Sequence, residues 1–318
     1  MKRVAVLLGI LALALAPCTA SAQDFFGFGP YFGLGGTSCC GDEKPKSPCT
    51  FYVGYSGDPH NSTAFNLTTT SGTVLGAVSL DISTATRGVL LGASKAVSLS
   101  DRVGLVGSFW YLFPDKTKDT EMGGVVAGGA LASQTWNKTS TQWWFADLLG
   151  AFDSGDGFSF LAGFRYDYYT SRYSDPKNVI GFATVPGDTA DVRSNGYIPL
   201  IGGQAAFRGT NSRGLVRLVG FPYLVGSLKF SESFTAAATA IEGTGNYNGK
   251  YFLEVFAEYA YTLGGTAYFG LFGRFNSTHG TTNFDVTGTG VAPVQNATFK
   301  LGLERNVWTV GGMFDLRF

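Results

Sequence analysis

The sequence predicts an all-β protein, an antiparallel transmembrane β-barrel of about ten strands. Three features of the 318 residues favour this fold. Apolar and polar residues alternate after about residue 74 with the period of a β-strand. The connections between the alternating segments are short and long in turn. Charged residues make up 14% and aromatic residues 15% of the chain, and no apolar run reaches the roughly 20 residues that a membrane-spanning helix needs.

Residues 158–170 show the alternation most clearly. Aromatic residues and Ala occupy every second position from Phe158 to Tyr168, whereas Arg165 and Asp167 fall on the opposite face. A strand of a soluble sandwich also alternates, but it does not usually set an unbroken aromatic face against an Arg/Asp pair. In a transmembrane barrel the first face meets lipid and the second faces the lumen.

Counting back from the last residue yields ten strands. They lie at about residues 72–82, 87–98, 102–113, 139–152, 158–173, 195–207, 214–230, 248–262, 266–278 and 298–318. The first pair is the least regular, so eight strands is one alternative. A hairpin within residues 24–57 would make twelve, the other alternative.

The connections divide into two classes. Short turns are predicted at 98–101, 153–157, 208–213 and 262–266, and long polar connections at 114–138, 174–195, 231–247 and 279–297. Bacterial transmembrane barrels have short periplasmic turns and long extracellular loops. The alternation of lengths therefore predicts that all the short turns lie on one side of a membrane.

The domain organisation follows from the first residues. Residues 1–22 predict a signal peptide: Lys2 and Arg3 precede an apolar run, and Ala20-Ser21-Ala22 supplies a cleavage site. The run is too short for a membrane anchor. A lipid-modified Cys18 is the other alternative, although Pro17 stands where lipoprotein signals carry a small residue. Residues 23–70 are expected to form a Gly-rich, aromatic and Cys-containing segment, and residues 71–318 the barrel.

Cys39, Cys40 and Cys49 remain after processing and are candidates for a disulfide. In an oxidising periplasm one of the adjacent pair is expected to bridge to Cys49. A metal site is the alternative, but it needs a fourth ligand and His60 is the only imidazole nearby. We therefore predict no metal and no cofactor.

Charged residues on the polar faces are candidates to line the lumen. They are Arg165, Asp167, Arg217, Lys229, Glu254, Glu258, Arg274, Asp315 and Arg317. One interpretation is a path for solutes with charge selectivity. The other is a small filled barrel in which opposite charges satisfy one another. Since Lys+Arg and Asp+Glu both number 23, the chain has no basic excess that would indicate a nucleic-acid partner.

The last strand resembles the carboxy-terminal insertion signal of bacterial outer-membrane β-barrel proteins. That signal has a terminal aromatic residue with apolar or small residues at alternate positions before it, and an internal polar-x-Gly-x-x-aromatic-x-hydrophobic pattern. The matching residues are Thr309, Gly311, Phe314, Leu316 and Phe318. The resemblance implies export through the periplasm, insertion by the barrel assembly machinery, and a location among outer-membrane lipids and lipopolysaccharide.

The leading functional hypothesis is a narrow pore or passive transport path for small solutes. The alternative is a surface-interaction or structural barrel that meets an extracellular ligand through its loops. A lipid hydrolase is a third hypothesis, since Ser277 and His279 share a face, but such hydrolases carry His-x-Ser and this chain has the opposite order. Surface proteases of this membrane use acidic pairs and a histidine, and no matching set stands out. No catalytic residue is therefore predicted, and the protein is not expected to be an enzyme.

Overall fold

The structure, a computed structural model, describes residues 48–57, 63–74, 79–84, 87–100, 102–115, 120–125, 131–155, 157–180, 189–234, 239–247, 251–264, 267–286 and 294–317. Within these residues the chain forms fifteen β-strands. They are β1 (Pro48–Gly57), β2 (Thr63–Val74), β3 (Ser79–Thr84), β4 (Gly88–Ser100), β5 (Val103–Pro114), β6 (Thr120–Val125), β7 (Leu131–Gly155), β8 (Phe158–Ile180), β9 (Thr189–Arg208), β10 (Ser212–Phe221), β11 (Val225–Phe234), β12 (Thr239–Asn246), β13 (Tyr251–Gly264), β14 (Ala267–Val286) and β15 (Val294–Arg317). The same ranges contain no helix that is long and apolar enough to cross a membrane.

Ten of these strands close into a barrel. β1, β4, β5, β7, β8, β9, β10, β13, β14 and β15 each pair antiparallel with the next. β15 then returns to β1, with Pro48 opposite Arg317 and Gly57 opposite Trp308. The prediction of an all-β antiparallel barrel of about ten strands is therefore confirmed.

The barrel has two different ends. Short connections join β4 to β5, β7 to β8, β9 to β10 and β13 to β14, and Pro48 and Arg317 lie at the same end. We call this the turn end. At the opposite end β2, β3, β6, β11 and β12 prolong the wall beside the upper parts of β7, β9 and β15. We call this the extended end.

The long connections proved to be largely β-structure, which corrects the predicted strand limits. For example, β8 runs to Ile180 and β9 begins at Thr189, inside the connection predicted at 174–195. The Ser, Thr, Asn and Gly residues of these segments were interpreted as loop composition. Some of them, such as Ser174 and Thr244, instead lie on the outer face of strands. The inner face of these strands stays buried and includes Val192, Ser194 and Thr282.

The barrel also begins earlier than predicted. Its first strand is β1, within the segment 23–70 that was set apart from the barrel, and the predicted first strand at 72–82 is replaced by β2 and β3 at the extended end. Phe51, Val53 and Tyr55 alternate on β1. The signal was weak because Gly54 and Gly57 interrupt it and the strand has only 10 residues.

Candidate functional site: the barrel lumen

Most of the predicted lumen residues lie on the inner face of the barrel. Each of the following is less than a tenth exposed: Arg165, Asp167, Arg217, Glu254, Glu258, Arg274 and Asp315. The backbone of Arg317 pairs with Pro48 in the closing register, whereas the side chain of Arg317 lies outside what the structure describes.

The prediction that Lys229 lines the lumen was wrong, because its side chain faces outward and is 40% exposed. Its neighbours Leu228 and Phe230 are the buried residues of this strand. The cause is an irregularity between β10 and β11, where Pro222 and Tyr223 are both exposed. Proline cannot donate a ladder hydrogen bond, and this break shifts the alternation by one residue.

An ion-pair cluster crosses the middle of the lumen. Arg165 Nε donates to Asp147 Oδ1 at 2.5 Å, and Arg165 Nη2 lies 2.7 Å from Glu254 Oε2. Arg274 Nε donates to the same Glu254 oxygen at 2.9 Å. Ser108 Oγ donates to Asp147 Oδ2 at 3.0 Å. The strands β5, β7, β8, β13 and β14 are thus tied together across the lumen.

Aromatic rings occupy the space between these charges. The Arg165 guanidinium lies 4.5 Å from the Phe145 ring centre and 4.7 Å from that of Phe252. Arg274 lies 4.7 Å from the Trp110 ring centre and 4.1 Å from that of Phe145. Such cation–π contacts add to the ion pairs and exclude water from them.

Further ion pairs flank the central cluster on both sides. Towards the extended end, Arg305 Nη2 donates to Asp167 Oδ2 at 2.7 Å, and Trp143 Nε1 donates to the same oxygen at 3.1 Å. Above them the interior is mainly apolar. The buried side chains there include Tyr169, Tyr173, Val192, Leu224, Leu228, Phe230, Leu301 and Leu303.

At the turn end a second network holds the lumen. Arg213 Nη1 lies 2.7 Å from Asp315 Oδ2, and Arg213 Nη2 lies 3.7 Å from Glu258 Oε1. The hydroxyl of Tyr52 donates to Glu258 Oε2 at 2.9 Å. Arg217 is buried nearby on β10.

The buried charges of the described lumen balance. Five arginines (Arg165, Arg213, Arg217, Arg274 and Arg305) face five carboxylates (Asp147, Asp167, Glu254, Glu258 and Asp315). Burial of an unpaired charge is costly, so a closed lumen requires such a balance. The described lumen is therefore filled by aromatic rings and by buried charges that are equal in number for the two signs.

Three of these charged residues were missed from sequence. Asp147 lies where Trp143 and Trp144 occupy both faces, so no face could be assigned. Arg213 was placed in a turn. Arg305 shares its face of β15 with Leu301 and Leu303. From sequence, an apolar face of this kind is expected to face lipid and not the lumen.

The outer face carries an apolar band of membrane thickness. On β8 the outward residues from Phe158 to Tyr168 are apolar or aromatic, whereas the next three described ones, Thr170, Arg172 and Ser174, are polar. Ten residues at about 3.3 Å each, tilted by about 40°, span about 25 Å, which is the height of the lipid-facing band of barrels. The remaining residues of β8 carry the wall about 30 Å beyond the band.

Aromatic residues mark the upper border of this band. Trp144 packs against Tyr166 and Tyr168 with ring centres 5.1 Å and 5.7 Å apart, and Tyr166 packs against Tyr197 at 5.0 Å. Aromatic rings with a polar tip favour the membrane–water interface. The border therefore lies at the level of Tyr168.

The predicted assembly signal lies on β15. Thr309 is buried, while Val310, Gly312 and Phe314 alternate on the outer face. Gly311 lies directly opposite Gly54 where the barrel closes. The side chain of Leu316 and the whole of Phe318 lie outside the described residues.

Of the cysteines, only Cys49 is described, and it is buried on β1. Cys39 and Cys40, and with them the predicted disulfide, lie outside the described ranges. Residues 1–22 do too. Among the residues that are described, no group of three or more His, Cys, Asp and Glu side chains could hold a metal ion.

The Ser277 and His279 pair lies on the outer face of β14. Ser277 Oγ donates to Asn306 Oδ1 at 2.7 Å, so its hydrogen is not directed at the imidazole. His279 Nδ1 lies 4.0 Å from Glu304 Oε2. The pair therefore lacks the serine–histidine hydrogen bond that activates a nucleophile.

Comparison with known proteins identifies the fold. No protein-family model matches the chain, and no curated protein matches it. Among solved structures, the outer membrane protease OmpT from Escherichia coli has a TM-score of 0.63 at 10% sequence identity, over 89% of this chain and 100% of that one. The outer membrane protein OprG from Pseudomonas aeruginosa has a TM-score of 0.34 at 10% identity, over 86% and 98%. This chain thus has the fold of bacterial outer-membrane barrel proteins.

Proposed function

We propose that this protein is an outer-membrane barrel with a closed lumen that acts at the cell surface through its extended end. It is a surface-interaction or structural protein rather than an enzyme. The observation that carries the proposal is the lumen, where five buried arginines meet five buried carboxylates. Among the described lumen residues the buried charges therefore sum to zero, which gives a solute ion of either sign no net attraction.

The narrow-pore hypothesis requires a water-filled lumen whose charges line the path. The central arginines are instead buried, and each contacts two aromatic rings, as Arg165 contacts Phe145 and Phe252. A hydrated solute would have to separate these contacts, and breaking a buried ion pair costs about 3–5 kcal/mol. The closed lumen is therefore favoured over the pore.

Orientation follows from the two different ends. The turn end faces the periplasm and the extended end projects outside the cell, because short periplasmic turns are the rule for such barrels. Outer-membrane lipids and lipopolysaccharide surround the apolar band. The barrel assembly machinery recognises the end of β15. An extracellular ligand would meet the wall and tips of the extended end.

The test is the conductance of the purified full-length protein in a planar bilayer. We expect no current steps from the parent protein. The double variant Glu254→Ala/Arg274→Ala removes one charge of each sign and should open a conducting path, which shows that the assay would detect one. A steady current through the parent protein would instead support the narrow pore.

A further inference from the structure

Three cations lie together on the outer face of the barrel. Arg193 on β9 is directly opposite Lys229 on β11, and on its other side it is opposite Thr170 on β8. Arg172 lies two residues further along β8, opposite Asp191. Arg172 and Arg193 are exposed. The three side chains therefore share one surface across three neighbouring strands.

The cross-strand pairing leaves Arg193 without a directly opposite carboxylate. Like charges directly opposite each other on one face are destabilising. Lys229 bonds to Glu242, and Arg172 has Asp191 opposite it. Directly opposite Arg193 are Thr170 and Lys229, and the next residue on the same face of β9 is Asp191. A bound anion would remove the repulsion between Arg193 and Lys229.

The depth of this surface indicates the kind of anion. The row of residues just below contains Tyr168, Asn195 and Ser227, and the next contains Tyr166 and Tyr197. The two-residue step from Asn195 to Arg193 corresponds to about 5 Å along the barrel axis. The cations thus lie one step above the aromatic border, where lipid headgroups meet water.

We propose that Arg193, Lys229 and Arg172 form a binding site for the phosphate groups of a phosphorylated glycolipid in the outer leaflet. The guanidinium fork binds phosphate through two parallel hydrogen bonds. Thr170 and Thr244, which lie in the same row, offer hydroxyls to the sugar. The acyl chains would lie against Tyr166, Tyr197 and the apolar band. The inference rests on the orientation given in the proposed function.

The test uses the purified full-length protein in detergent. Its thermal transition is followed while three probes are titrated: a bis-phosphorylated acylated diglucosamine lipid, the same lipid without phosphates, and inorganic phosphate. We expect the phosphorylated lipid alone to raise the transition temperature. Arg193→Gln should weaken its apparent affinity about tenfold, because a charge-assisted hydrogen bond is lost. Arg208→Gln, at the turn end of the same strand, is the matched control and should bind like the parent.

Three results would overturn the site. If Arg193→Gln and the parent protein bind the phosphorylated lipid with equal affinity, Arg193 is not part of the site. Equal stabilisation by the lipid without phosphates would mean that only the acyl chains bind. Equal stabilisation by inorganic phosphate would indicate a site for the free anion. Failure of the proposed function appears separately, as a conductance of the parent protein or as labelling of the turn end on intact cells.

Discussion

Single arginines determine the character of the lumen. Arg274 contacts Glu254 and two aromatic rings at once. The inward direction of Arg165, Glu254 and Arg274 could be predicted, because each alternates with outward apolar residues along its own strand. The pairing of Arg274 with Glu254 could also be anticipated, because β13 and β14 are consecutive strands. The pairing of Arg165 with Glu254 could not, because β8 and β13 are distant in sequence and periodicity does not determine which strands face each other across the lumen.

Arg274→Glu tests the closed ion-pair network. The new carboxylate would face Glu254 in a buried setting, so we expect the free energy of unfolding to fall by about 3–5 kcal/mol. The measurement is urea unfolding in detergent, read from the loss of the folded band on a gel. Lys229→Gln removes a partner of an exposed pair and should cost less than about 1 kcal/mol. Equally small losses for both variants would indicate a wet lumen that screens its charges.

Replacement of Gln204 should change the free energy of unfolding in a definite direction. Its side chain is 1% exposed, and neither amide atom has a hydrogen-bond partner in the protein. An unsatisfied buried amide costs about 1–3 kcal/mol, so Gln204→Met should raise the free energy of unfolding by about 1 kcal/mol. Gln142→Met on the outer face should change it by less than about 0.5 kcal/mol. A loss of stability in Gln204→Met would mean that internal water bonds to this amide.

At the scale of elements, sequence located the membrane-crossing parts of the strands better than their continuations. The predicted segment 102–113 corresponds closely to β5 (Val103–Pro114). Within a membrane the outer face must be apolar, so alternation stands out. Beyond the membrane the outer face is polar, so the alternation no longer has an apolar outer face to reveal it. The predicted limits of β8 and β9 were therefore too short. The irregularity at Pro222 shifted the register of β11, a detail that periodicity alone cannot locate.

Two adjacent glycines on β15 test why the closing strand needs a small residue. A Cβ at Gly311 would lie 2.2 Å from the Val53 carbonyl oxygen and 2.8 Å from the Phe272 ring, whereas a Cβ at Gly312 would meet nothing closer than 3.8 Å. Gly311→Ala should therefore lower the free energy of unfolding by about 1–3 kcal/mol.

The matched variant Gly312→Ala should change stability by less than about 0.5 kcal/mol. Both are measured by refolding into detergent and by the yield of folded band. If Gly311→Ala refolds as well as Gly312→Ala, the close approach of β15 to β1 does not limit closure.

The whole molecule consists of an apolar band and a long polar wall on one side of it. Composition and connection lengths predicted the closed barrel and its sidedness. They did not predict the wall, because loops and water-exposed strands draw on the same Ser, Thr, Asn and Gly residues. The filling of the lumen depends on charged residues from six strands. From the sequence it was one of two alternatives.

Sidedness is tested by labelling intact cells. Short tags inserted near residues 125, 185 and 240 should react with an impermeant reagent, because the proposed orientation directs the extended end out of the cell. A tag near residue 210, at the turn end, should react only after the outer membrane is opened. Reaction at residue 210 alone on intact cells would reverse the orientation.

The pairing of β1 with β15 has a consequence for the order of assembly. The two strands lie at opposite ends of the described chain, so the ring cannot close until β15 has been synthesised. Until then both strands present unpaired backbone groups that invite pairing with other chains. Contacts so distant in sequence form slowly. We therefore expect that the unfinished protein needs protection from premature association, and that a chain cut short before β15 would stay open and prone to aggregation.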